Sequence, residues 1–163
     1  MGVPILEKES VRDLACPISK ESYYELGRLG LIPEKTELLQ GIVIHKMPKN
    51  PKHSEVLKRI FEFLYEQLKA EYDIRKEEPI SFEASEPEPD LSIVEKKQGK
   101  GYSQEHPSVA FLLVEVANTS LALDRSKAEI YALGGIPEYW IINLVEDTIE
   151  VYQNPQDGSY QEK

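Results

Sequence analysis

Apolar residues along the chain switch between two periods, and the switches mark the elements. Val56, Leu57, Ile60, Phe61, Leu64 and Leu68 recur at steps of three and four, while Glu55, Lys58, Arg59, Glu62, Glu66 and Lys69 fall largely on the other side. That pattern predicts an amphipathic helix over 53–72. Residues 109–117 are a short, nearly continuous apolar run, which suits a strand buried on both faces. A helix follows over 121–133, stopped by Gly134-Gly135. Residues 139–142 read as a further strand, and 149–152 as its hairpin partner beyond a turn at Glu146-Asp147. Upstream, 36–47 is strand material folded at Gly41, and 74–82 is a strand or pair of strands interrupted by Pro79. The run Glu86-Pro-Glu-Pro-Asp90 is turn-like and leads into a strand over 91–94. Ser22 and Glu25 have capping-box spacing, which places a short helix over 19–29, ended by Gly30 and Pro33. Residues 95–107 are polar and read as an exposed loop. The order strand, strand, strand, helix, strand around a central apolar strand implies a mixed α/β (α+β) sheet.

A chain of 163 residues fits one domain, with 40% hydrophobic and 29% charged residues in the ordinary globular range. The expected division is an N-terminal arm over 1–18, a domain over 19–153 and a tail over 154–163. No apolar run approaches the roughly 18 residues of a membrane span. The first 16 residues hold no basic segment followed by an apolar one, so no secretory leader is expected. Cys16 is the one cysteine, which excludes an internal disulfide and a cysteine-built zinc site. A cytoplasmic location is the corresponding expectation. Nineteen basic residues against 29 acidic give a net charge of −10, so any binding of a polyanion must be local.

A few residues break the pattern. Glu115 sits inside the apolar run, where an unpaired carboxylate is costly. It either pairs with a cation or faces a cleft at the sheet's end. Pro89-Asp90 is an ordinary turn dipeptide, yet it heads the strand before the one carrying Glu115. If those strands pair, two hard oxygen ligands lie side by side, which suits Mg²⁺ or Mn²⁺. Lys127, on the following helix, shares a partly apolar face with Leu123, Ile130 and Tyr131 and can point at the sheet. Asp124 and Lys127 are also three apart, the spacing of a surface ion pair. Glu37, on an alternating strand, reads as solvated or as part of the same site. His53 begins the long helix beside Lys46, Lys49 and Lys52, the most basic stretch of the chain. It is either a solvated helix start or a phosphate-contacting strip. Lys96, Lys97 and Lys100 read as a solvated charge run on the loop.

Several strings together resemble a known family. They are Glu37-Leu-Leu-Gln-Gly-Ile-Val-Ile, His53, Pro89-Asp90-Leu-Ser-Ile-Val, Val114-Glu115-Val116, then Ser120, Asp124, Lys127, Tyr131, Gly135-Ile-Pro-Glu-Tyr-Trp-Ile-Ile and Ile149-Glu-Val-Tyr152. Over roughly residues 20–153 the chain is similar to the bacterial restriction-endonuclease-like family of the PD-(D/E)XK nuclease superfamily. That family is abundant in cyanobacteria and was long filed as a domain of unknown function. The resemblance implies an αβββαβ core with one divalent-metal site. It assigns Asp90 and Glu115 to the superfamily's two acidic positions. The lysine usual two residues after the second acid is replaced by Ala117, and Lys127 matches a lysine supplied from the following helix. Glu37 matches the acidic residue contributed from the N-terminal part of the site. The chain departs from the family in three places: Glu88 stands where Arg often precedes Pro-Asp, Asn143 where Asp often follows the Tyr-Trp strand, and Asn118-Thr119-Ser120 where Ser-Pro-Ser is usual.

The function this implies is Mg²⁺- or Mn²⁺-dependent hydrolysis of nucleic-acid phosphodiester bonds, with DNA the expected substrate and a homodimer the expected assembly. Asp90, Glu115 and the backbone carbonyl of Val116 would bind the ion. Lys127 would orient water or stabilise transition-state charge, and Glu37 would hold a second metal or a water. His53, Lys49 and Lys52 would contact the nucleic-acid backbone. A nuclease-fold module that binds nucleic acid or protein with little turnover is the alternative. An interaction protein using Tyr152 and Tyr160 as an oligomer face is a third reading.

Overall fold

A computed structural model describes residues 8–163; residues 1–7 of the expected arm lie outside the described residues. In chain order the elements are α1 (Glu9–Arg12), α2 (Lys20–Arg28), β1 (Thr36–Leu39), β2 (Ile42–His45), α3 (Pro51–Leu68), β3 (Tyr72–Lys76), β4 (Leu91–Glu95), β5 (Leu112–Ala117), α4 (Leu121–Leu133), β6 (Glu138–Asn143), β7 (Thr148–Gln156) and β8 (Ser159–Glu162). From α3 to β6 this is an αβββαβ succession. The main sheet has six strands in the order β3-β4-β5-β6-β7-β8. All its pairings are antiparallel except β5 with β6. A parallel neighbour needs a long crossover, and α4 provides it. No helix among the described residues is long and apolar enough to cross a membrane.

The sheet is covered on both faces, and β5 shows how. Its six residues are all buried. Leu112, Val114 and Val116 join Leu57 and Leu64 of α3 in one apolar cluster. Leu113 and Ala117 join Ile130 and Tyr131 of α4 in the other. Side chains alternate along a strand, so Glu115 shares the α4 face with Leu113 and Ala117. The continuous apolar run thus reflects burial from two sides, as its length predicts.

β1 and β2 form a separate hairpin. Gln40 and Gly41 both have positive φ, 49° and 78°, the requirement of a tight two-residue hairpin turn. Backbone bonds between Leu38 and Glu86, in both directions, clip this hairpin to the segment before β4. That clip carries Glu37 to Asp90.

Several boundaries differ from the sequence pattern. α3 starts at Pro51 rather than residue 53, because Asn50 caps it by accepting from the His53 N–H at 2.8 Å and proline is tolerated in the first turn. α2 is capped by Ser19, not by Ser22, which lies inside the helix and donates its N–H to the Ser19 hydroxyl. Residues 77–82 are not strand: Glu77 has φ 57° and Pro79 lacks an N–H, although Ile80 is fully buried. β7 runs on to Gln156 and β8 adds an edge strand, joined by a turn at Asp157 and Gly158 with φ 48° and 79°. Ser159–Glu162 has little apolar content and no pattern to announce a strand. Tyr152 and Tyr160 do not form an exposed oligomer face. Tyr152 stacks on Tyr139 with ring centres 5.6 Å apart, and the Tyr160 hydroxyl donates to the Ile136 carbonyl at 2.8 Å.

Candidate functional site

β4 and β5 pair from Leu91 to Ile93 with Val114 to Leu112. Asp90 heads β4, so it comes beside Glu115, the residue after Val114. The Asp90 N–H donates to Glu115 Oε2 at 3.3 Å. The Val116 N–H donates to Asp90 Oδ2 at 2.8 Å, and His53 Nε2 lies 3.1 Å from the same oxygen. The adjacency expected of the two acids is therefore present.

Lys127 reaches across from α4. Its Nζ donates to Glu115 Oε1 at 3.0 Å and lies 2.9 Å from Glu37 Oε1 and 3.9 Å from Asp124 Oδ1. With 4% of its surface exposed, it belongs to the sheet face and not to a surface ion pair. Tyr131, one turn on, donates to Glu115 Oε1 at 3.1 Å. Asp124 accepts from the Ser120 hydroxyl at 2.6 Å, and Glu37 Oε2 accepts from the Glu88 N–H at 3.1 Å. A cleft of about 60 Å³ opens over these groups, between α4, the start of α3 and the hairpin. Lys46, Lys49, Asn50 and Glu88 line its mouth.

Four carboxylates, Glu37, Asp90, Glu115 and Asp124, are each less than 10% exposed at the cleft, three of them (Glu37, Glu115 and Asp124) around the buried Lys127 ammonium. Burial pushes the Glu115 carboxyl well up, and the charges of Asp124, Asp90 and Glu37 add to it against Lys127. Burial likewise lifts Asp124 to about 6, opposed by Lys127 and the Ser120 hydroxyl. Burial also works to raise Asp90, but the hydrogen bonds from His53 and Val116 and the charges of His53 and Lys49 hold it below its usual value. Burial lowers Lys127, yet Glu115, Glu37 and Asp124 outweigh that and keep it protonated throughout the physiological range. Negative charge thus exceeds its cations, and every surplus donor is a hard oxygen. That donor set fits Mg²⁺ or Mn²⁺. Among the described residues no three His, Cys, Asp or Glu side chains converge as a complete metal cage. An ion that keeps several waters needs only part of its shell from protein.

The structure brings Asp90, Glu115, Lys127, Glu37, His53 and Lys49 together at this cleft, with the Val116 backbone beside them. Lys49 Nζ pairs with Glu77 and lies 4.0 Å from Asp90 Oδ1. Lys52 is placed elsewhere: it donates to the Leu144 carbonyl at 3.1 Å and to Asp147 at 3.2 Å, outside the cleft lining. Glu88 does not stand as a free negative charge, because Lys46 pairs with it. Asn143 is buried at the end of β6, and its Oδ1 accepts from the Val145 and Glu146 N–H groups of the following turn. The Asp124–Lys127 spacing was legible, but the hydrogen bonds of Asp124 to Ser120 and of Tyr131 to Glu115 were not assigned from the sequence. Their signal was present, since both lie within one helical turn of Lys127 on the same face.

A central sheet with an αβββαβ order, one acid just before β4 and the other inside the adjacent β5, defines a nuclease-type α/β fold. The same fold is seen in a crystal structure described as a putative nuclease belonging to DUF820 from Anabaena variabilis, with a TM-score of 0.72, 18% identity, and coverage of 86% of this chain and 82% of that one. The chain belongs to the Uma2 family, described as "Putative restriction endonuclease", whose model matches residues 23–163. No curated protein matches the chain.

Proposed function

We propose that this chain is a divalent-metal-dependent endonuclease that hydrolyses phosphodiester bonds, with DNA as its substrate class. The observation that carries the reading is the buried Asp90–Glu115 pair with Lys127 held beside it. Asp90, Glu115 and the Val116 carbonyl are the groups that would hold Mg²⁺ or Mn²⁺. When bound, such an ion supplies Lewis-acid polarisation of the phosphate and lowers the pKa of water. The chain's own residues do the remainder. Lys127, fixed by Glu37 and Glu115, presents a permanent positive charge in a poorly solvated place, where charge developing on the phosphate is stabilised most. Its position on α4 replaces the lysine missing at Ala117. Lys49 and Lys46 at the mouth grip the phosphate backbone, exchanging Glu77 and Glu88 for phosphate as they do so. Cutting both strands of a duplex needs two such sites, which a homodimer supplies.

The test begins with Mn²⁺ titration by calorimetry, wild type beside Asp90→Ala, and continues with cleavage of plasmid DNA and RNA. Binding is expected in the wild type and absent in the variant. Cleavage is expected to fall by about a hundredfold or more in Asp90→Ala and Glu115→Ala. Equal cleavage by both variants at equal purity would sink the reading. A second reading, a binding module with little turnover, draws on the internal pairing of both mouth lysines. Nucleic-acid binding unchanged by EDTA, with no cleavage, would favour it.

A further inference from the structure

His53 stands in the most basic stretch of the sequence, yet it is 9% exposed and turned inward from the first turn of α3. Its ring has a single polar partner. Nε2 lies 3.1 Å from Asp90 Oδ2, while Nδ1 is enclosed and bonded to nothing among the described residues. A buried ring nitrogen without a partner carries a desolvation cost, which a purely structural histidine avoids by satisfying both nitrogens. An ionised carboxylate only accepts, so Nε2 is the donor in this pair. The Val116 N–H donates to the same oxygen at 2.8 Å. Both donors therefore fall on Oδ2. Oδ1 receives no hydrogen bond among the described residues, and the Lys49 ammonium lies 4.0 Å from it. The Asp90 carboxylate is thus asymmetric, with one oxygen saturated and one left for a ligand.

We infer that His53 is a positioning residue that holds Asp90 to a single free oxygen and so biases the site toward a small octahedral ion over Ca²⁺. This rests on the metal-site reading above. Mg²⁺ and Mn²⁺ sites take one oxygen per carboxylate and keep waters, whereas Ca²⁺ accepts six to eight oxygens and often both from one carboxylate. A carboxylate whose second oxygen is doubly hydrogen-bonded cannot offer it without breaking those bonds. His53 acts through Asp90 and does not contact phosphate. Hydrogen-bond partners behind a metal ligand typically change metal affinity by about tenfold to a hundredfold.

The experiment is paired calorimetric titration of the full chain with Mn²⁺ and with Ca²⁺, for wild type, His53→Ala, His53→Gln and Asp90→Ala, with a thermal melt of each to confirm folding. His53→Ala is expected to bind Mn²⁺ about tenfold or more weakly and to lose much of the Mn²⁺-over-Ca²⁺ preference. His53→Gln, whose amide nitrogen reaches the Nε2 position, is expected to restore both to within about threefold of wild type. Equal weakening of the two ions in His53→Ala makes His53 a packing residue and overturns the inference while leaving the metal site standing. So does a glutamine variant that behaves like alanine. Should either His53 variant fail to melt cooperatively, the surviving variant's Mn²⁺-to-Ca²⁺ ratio decides. If wild type and Asp90→Ala bind neither ion, the inference and the reading beneath it both fall.

Discussion

Lys127 and Asp124 show how far burial alone changes the chemistry of ordinary side chains. Three carboxylates surround one ammonium, and their mutual repulsion and burial make the folded chain hold carboxyl protons more tightly than the unfolded chain does. Asp124 bears part of this, rising from 3.8 to about 6. A carboxyl with a raised folded pKa keeps a proton that the unfolded chain has already lost. Its contribution to stability is therefore full below about pH 4 and is lost as pH rises through about 6. We expect the gap in unfolding free energy between wild type and Asp124→Asn to change by on the order of 2–3 kcal/mol between pH 4 and 7, with wild type relatively weaker at pH 7. Urea titrations at the two pH values measure it. Parallel pH profiles would show that Asp124 is not held in a poorly solvated place.

At the scale of elements, the site depends on a short hairpin outside the main sheet, packed through Leu39 and Ile44 against the apolar cluster on its α4 face. Glu37 reaches Lys127 because β1 is clipped to Glu86 and turned back at Gly41. Gly41 has φ 78°, and a Cβ there would lie 2.3 Å from the Pro17 Cβ. Gly41→Ala therefore meets a backbone penalty of about 1–2 kcal/mol and a clash with a ring that has little room to move. A total loss of roughly 2 kcal/mol or more in unfolding free energy is expected from denaturant titration, together with weaker Mn²⁺ affinity as Glu37 shifts. A variant as stable as wild type would mean that the hairpin tolerates reorientation and that Glu37 is not rigidly placed. α4 contributes in a different way. It is both the crossover that makes β5 and β6 parallel and the carrier of Lys127, Asp124 and Tyr131.

For the molecule as a whole, a net charge of −10 opposes approach of a polyanion, so attraction has to be local, and the proposed function assigns it to the cleft mouth. Lys49→Ala is expected to weaken duplex binding about equally for unrelated sequences and to reduce the slope of log affinity against log salt by about one. Fluorescence anisotropy across a salt series reads both, and an unchanged slope would remove Lys49 from the phosphate contacts. Lys52 offers the comparison, since its ammonium is held by Asp147 and Leu144 away from the cleft. The sequence by itself determined the long α3 stripe, the doubly buried β5, the extent of α4 and the place of Asp90 and Glu115 on consecutive strands, while the pairing of those strands came from the structure. Each of these is a periodic or local signal, set by which side chains a helix or strand must bury. Tertiary structure decided the rest. Whether Lys127 met Asp124 at the surface or Glu115 in the interior depended on which way α4 rolled on the sheet, and one helical face permits both. That His53 meets Asp90 follows from the start of α3 reaching the head of β4, and that Lys52 leaves the cleft follows from the β6–β7 turn. On β8, Tyr160 donates its hydroxyl to the carbonyl of Ile136, 24 residues earlier. Such contacts join residues far apart in the chain, and no period along one segment encodes them.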